Sequence, residues 1–123
     1  MTIELTISGR PITKKNGMMR TKRGVIQSPQ YRQYESDALW QIPATVKLGI
    51  DQPCNVRCVY YMPTRGKVDL LNLLSATCDI LVKAGVLADD HCRIVTGHDG
   101  SRVLYDKEHP RVEITIDTEV TDA

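Results

Sequence analysis

Residues 67–92 read KVDLLNLLSATCDILVKAGVLADDHC. Leu70, Leu73, Leu74, Thr77, Leu81 and Ala84 recur at three- and four-residue spacing, which predicts a helix over residues 70–83. One acid, Asp69, stands at its mouth. Gly85 is a stop signal, and the pair Asp89 and Asp90 follows it. Lys83 falls in the last turn, where a cation complements the helix dipole. A helix of about fifteen residues spans roughly 22 Å, so its ends meet only if the chain turns back. The stretch AGVLADD offers such a turn. Three carboxylates gathered that way would make an oxygen-ligand site for a hard divalent cation such as Mg2+. Each acid also has a plainer reading: Asp69 as a helix cap, Asp89 and Asp90 as an ordinary turn.

Outward from this stretch, the flanks read as strands. Residues 55–62, NVRCVYYM, are rich in β-branched and aromatic side chains, and Val56, Cys58 and Tyr60 share one face. Residues 63–67 form a basic turn carrying Arg65 and Lys67. Residues 92–98 read as a further strand, which residues 101–105 continue past the Asp99-Gly100 break. Residues 111–117 alternate with Val112, Ile114 and Ile116 inward. At the N-terminus, Ile3, Leu5 and Ile7 alternate with polar residues. Ser28 and Pro29 give a serine cap and a first-turn proline, with Tyr31, Tyr34 and Ala38 on one face of the helix that follows and Pro43 beyond it. Residues 10–28 lack periodicity and read as a long basic loop. Residues 118–123 read as a frayed tail. The order β-α-β-α-β-β predicts one small α+β domain over residues 1–123, with a mixed sheet of about four strands and two main helices.

A net charge of +1 does not by itself announce a nucleic-acid binder. The distribution says more. Positions 5–34 hold no Asp or Glu but do hold Arg10, Lys14, Lys15, Arg20, Lys22, Arg23 and Arg32, seven of the sixteen cations. Clustered cations without acids are the electrostatic footprint of phosphate binding, against the plainer reading of a solvated loop. The candidate DNA contacts are Lys14, Lys15, Arg20, Lys22, Arg23, Arg65 and Lys67. Cys54, Cys58, Cys78 and Cys92 include no C-x-x-C pair, which argues against a zinc site and for reduced thiols. His91, Cys92 and His98 are poorly spaced for a transition metal. The N-terminus reads as a strand rather than a leader, no apolar run reaches membrane-spanning length, and a cytoplasmic protein is expected.

Asp69, Leu70, Leu71 and Asn72, followed by Asp79, Leu81, Gly85, Asp89 and Asp90, resemble the signature of the RusA-like Holliday-junction resolvases. So do GRPITKKNGMMR and YRQYESDAL nearer the N-terminus. The resemblance runs over about residues 3–117. It implies a RusA-like fold and a homodimeric endonuclease, bacterial or phage-encoded, that resolves four-way DNA junctions by paired nicks during recombination and repair. It also implies Mg2+ or Mn2+ held by Asp69, Asp90 and Asp89, with Asn72 orienting the site and Asp79 further along. Two positions depart from the signature. Leu71 stands where a second acid is expected, and Ser75 where a lysine is expected. They lie four apart on one helix face. The site is then completed by other groups, with Asp79 or His91 for the acid and Lys67 or Lys83 for the cation, or the fold binds junctions without cutting them. A protein unrelated to DNA is the third reading. Val86, Leu87, Tyr60 and Tyr61 are the candidate dimer contacts.

Overall fold

The computed structural model describes residues 1–14, 18–21 and 24–118. The central sheet is built on β4 (Cys54–Met62), which carries β7 (Arg111–Asp117) antiparallel on one side. Beyond β7 lies β1 (Thr2–Ser8), paired antiparallel from Thr2↔Asp117 to Ser8↔Arg111. On its other side β4 carries two short parallel strands end to end, β5 (Val95–Gly97) and β6 (Arg102–Tyr105). The result is a mixed five-stranded sheet, one strand more than the sequence suggests.

Two helices cover one face of this sheet. In α1 (Pro29–Gln41), Ser28 accepts a hydrogen bond from the Tyr31 N–H, and Pro29 opens the first turn, where its missing donor is harmless. The helix ends at Ile42, just before Pro43. Tyr31, Tyr34 and Ala38 are its buried residues. In α2 (Leu70–Lys83), Leu73, Leu74, Ala76, Thr77, Cys78, Ile80 and Leu81 are buried. Of these, Leu73, Leu74, Ala76, Ile80 and Leu81 pack in one core with Val56, Cys58 and Tyr60 of β4 and Val112, Ile114 and Ile116 of β7. β4, α2 and the parallel strands thus form a β-α-β crossover.

Gly85 ends α2 in the left-handed conformation, with φ +81°. The Val86 N–H reaches the Leu81 carbonyl and the Gly85 N–H reaches that of Val82, a glycine-capped helix end with Val86 folded onto the core. The chain then laces against residues 49–50 through Gly49 N–H to the Gly85 carbonyl and Ile50 N–H to that of Val86.

Three readings are corrected. Residues 18–21 and 24–27 form an antiparallel pair, β2 (Met18–Thr21) and β3 (Gly24–Gln27), inside the segment read as structureless. Residues 92–94 are a turn, so the strand expected from 92 begins at Val95; the Ile94 and Val95 N–H groups both bind the His91 carbonyl. Val86, Leu87 and Tyr60 are buried in the core and are not free for a partner. Tyr61 stacks under the Arg111 guanidinium at 3.8 Å. No helix among the described residues is long and apolar enough to cross a membrane.

Candidate nuclease site

Asp69 caps α2. Its Oδ1 accepts from the Leu71 N–H at 2.9 Å and the Asn72 N–H at 3.4 Å. A carboxylate here satisfies two orphan donors and meets the positive end of the helix dipole. The second oxygen is left over, and the residue is exposed. Asn72 is half-buried in the first turn and gives its backbone N–H to this cap. Leu71 is 73% exposed, and Ser75 shares its face. The positions that depart from the signature are therefore surface positions, where the leucine gains nothing from burial.

Asp89 and Asp90 follow the other end of α2. The Asp90 N–H donates to Asp89 Oδ1 at 2.7 Å, and both residues are exposed. His91 beside them accepts the Arg93 N–H on Nδ1. The chain folds back along the helix far enough for charge to carry. The Cys78 thiol is pushed up to about 12, first by burial and then by the negative charges of Asp90 and Asp79. Asp79 forms an ion pair with Lys14. Lys83 is held by both oxygens of Glu35 at 2.9 Å, which ties α2 to α1.

The fold therefore leaves Asp69 at the start of α2 and Asp89 and Asp90 beyond its end. The helix between them is roughly 20 Å long, and the chain turns back along it after Gly85. Among the described residues no three His, Cys, Asp or Glu side chains gather closely enough to hold a metal. A hard divalent cation wants six or more oxygens, several of them carboxylate. The described residues of one chain do not assemble that set.

Of the expected cations, Lys67 is exposed two residues before Asp69, and Arg65 lies 4.4 Å over the Tyr105 ring. Lys14 is committed to Asp79. Arg20 lies on β2. Lys15, Lys22 and Arg23 fall outside the described residues. Sequence reasoning missed a cleft of about 710 Å3 beside Asp69, which the β1 exit, α1 and the turn after β4 enclose together. Arg10, Gln33, Asp37 and Lys67 line it. The one signal for it in sequence is that Gln30, Gln33 and Asp37 fall on one polar face of α1.

A family model described as endodeoxyribonuclease RusA matches residues 8–117, a span that includes both acid groups. The chain belongs to the RusA endodeoxyribonuclease family. Over 91 residues it is 34% identical to the crossover junction endodeoxyribonuclease RusA of Aquifex aeolicus (strain VF5), a match covering 72% of each chain. Within this RusA-family domain, Asp69, Asp89 and Asp90 are all exposed and free of ion pairs among the described residues.

Proposed function

We propose that this protein is a Holliday-junction resolvase, an endonuclease that makes paired nicks in four-way DNA junctions. The observation that carries the reading is the family match running through Asp69 and Asp90, both exposed acids, with Lys67 at hand for phosphate. A related protein bears the name crossover junction endodeoxyribonuclease. The protein acts on DNA in the cytoplasm of a bacterium or of a phage-infected cell.

The reading includes a requirement for Mg2+ or Mn2+ and a homodimer. The two requirements are linked. The acids of one chain stand at two ends of α2, so a full oxygen set needs a second copy that brings Asp89 and Asp90 to the Asp69 of the first. A two-fold pair of such sites also suits the symmetric strands of a junction. Arg10 and Lys67 hold backbone phosphates, and Asn72 steadies the helix mouth.

A labelled synthetic four-way junction tests this, incubated with Mg2+ and separately with Mn2+, beside a linear duplex and the Asp90→Asn variant. Paired symmetric nicks that disappear in the variant and in chelator are expected. Metal-independent cleavage, or full activity of the variant, overturns the assignment. The exposed Leu71 and Ser75 favour one second reading, a junction-binding protein without chemistry. It expects salt-sensitive junction binding with no nicks. Equal affinity for duplex and junction counts against both.

A further inference from the structure

Two ion pairs lie along the seam between α1 and α2, beside a buried hydroxyl that has no partner. Lys83 holds both oxygens of Glu35 at 2.9 Å and so fixes the register of the two helices. One turn back on α2, Asp79 is paired with Lys14, which belongs to the acid-free stretch 5–34. One turn back on α1 stands Tyr31, whose side chain is fully buried. Its hydroxyl is the one buried side-chain polar atom without a hydrogen-bond partner among the described residues. Burial, then the charges of Glu35 and Asp79, push that hydroxyl above the usual tyrosine range, so it keeps its hydrogen. A donor buried without an acceptor is costly, and a carboxylate is the acceptor that satisfies it best. Of the two acids within reach, Glu35 is the deeper, with its side chain 14% exposed and both oxygens taken by Lys83. The Lys14–Asp79 pair is open to solvent, its side chains 36% and 29% exposed. An ion pair so exposed is weakly held and easily exchanged.

We propose that Asp79 stands in for a DNA phosphate: in the free protein it masks Lys14, and on DNA Lys14 passes to the backbone while the Asp79 carboxylate turns inward to accept the Tyr31 hydroxyl. The inference rests on the nuclease reading for its ligand, DNA, and assigns Asp79 a positioning role. The exchange keeps one ion pair on each side, Lys14 with the carboxylate before and with a phosphate after. Without a second partner, the released carboxylate would stand beside that phosphate and repel it. Tyr31 supplies the partner, and the same step satisfies the orphaned hydroxyl. The dense charge of a DNA backbone displaces the carboxylate where a scattered anion does not.

The test is a set of double-mutant cycles, read by binding of a labelled four-way junction and of a linear duplex over a salt series without divalent metal. Lys14→Gln is expected to weaken binding and to lower the salt slope by about one. Asp79→Ala is expected to tighten binding about threefold, and to change nothing in a Lys14→Gln protein. Tyr31→Phe is expected to weaken binding about threefold, and to change nothing in an Asp79→Ala protein. It is also expected to leave the urea midpoint no lower than the native one, because the hydroxyl it removes has no partner among the described residues. A gain from Asp79→Ala that survives the loss of Lys14 is general repulsion between acid and phosphate, and it overturns the exchange. So does a Tyr31→Phe cost that persists without Asp79, or a lowered urea midpoint. Any of these in a protein that still nicks the junction leaves the resolvase reading standing. The expected cycles in a protein that binds junction and duplex alike keep the exchange and sink the junction reading. A protein that binds neither DNA overturns both.

Discussion

At the scale of single residues, Asp69 has two occupations that a suitable pair of substitutions separates. Its Oδ1 holds the first turn of α2, while its charge and second oxygen face solvent. Asparagine caps helices about as well as aspartate but carries no charge. Asp69→Asn is therefore expected to unfold within about 0.5 kcal/mol of the native protein, and Asp69→Ala about 1 kcal/mol below it. Both are expected to lose junction nicking by at least about a hundredfold, roughly 3 kcal/mol of barrier. Urea unfolding and single-turnover nicking of the two variants decide this. If Asp69→Asn still nicks, the acid is only a cap.

Asp106 is held by three hydrogen-bond donors. Arg111 Nη1 donates to its Oδ2 at 2.8 Å, and the His109 and Glu108 N–H groups bind its Oδ1. The Arg111 hydrogen bond, then those amides, keep the carboxyl below the usual carboxylate range. A depressed folded value means that the stabilisation is complete above the unfolded value, near 3.9, and is lost as pH falls through the folded one. Asp106→Asn is expected to flatten that acid limb. Thermal melts from pH 7 down to pH 2 on both proteins check it; parallel curves sink the idea.

At the scale of elements, α2 is held to β4 by more than apolar contact. The Thr77 hydroxyl gives its hydrogen to the Leu73 carbonyl at 3.0 Å, so Tyr60 must be the donor in the 2.6 Å contact between the two hydroxyls. Thr77→Val keeps the volume and removes the acceptor. It leaves a buried tyrosine hydroxyl with only the Cys58 thiol to turn to. A loss of about 1 kcal/mol is expected in the urea midpoint with the slope unchanged. No change would mean that the sulfur replaces the oxygen fully.

What the sequence discloses about these elements follows how local their causes are. The α2 boundaries were legible because cap, apolar period and glycine stop all lie within residues 69–86. Likewise Ser28 and Pro29 mark α1 without help from elsewhere. The pair β2 and β3 was not legible, because two four-residue strands are too short to show a period. Nor was the parallel pairing of β5 and β6 with β4, which depends on contacts about forty residues apart. The acids themselves were legible, but not their separation. A turn back after Gly85 does occur, yet it is spent on lacing residues 85–88 to Gly49 and Ile50. The cleft was invisible for the same reason: three distant segments make it, and each reads as an ordinary turn or a polar helix face.

At the scale of the whole molecule, the question is whether one copy is enough. If Asp69 and Asp90 of the same chain served one site, every chain of an Asp69→Asn protein and every chain of an Asp90→Asn protein would be dead, and mixing them would change nothing. Suppose instead that each site joins Asp69 of one copy with Asp90 of the other. A mixed dimer then has one site that carries both substitutions and one that carries neither. Random pairing would return about a quarter of the native number of sites. Each active dimer would have a single working site, so the product would be single nicks and not paired ones. Co-refolding the two variants and incubating them with a labelled junction in Mg2+ or Mn2+ reads both features at once. Recovered, unpaired nicking is expected. No recovery at all, while Asp69→Asn and Asp90→Asn still bind junctions, would return both acids to one chain. The loop after Gly85 would then have to move toward the mouth of α2 when DNA binds.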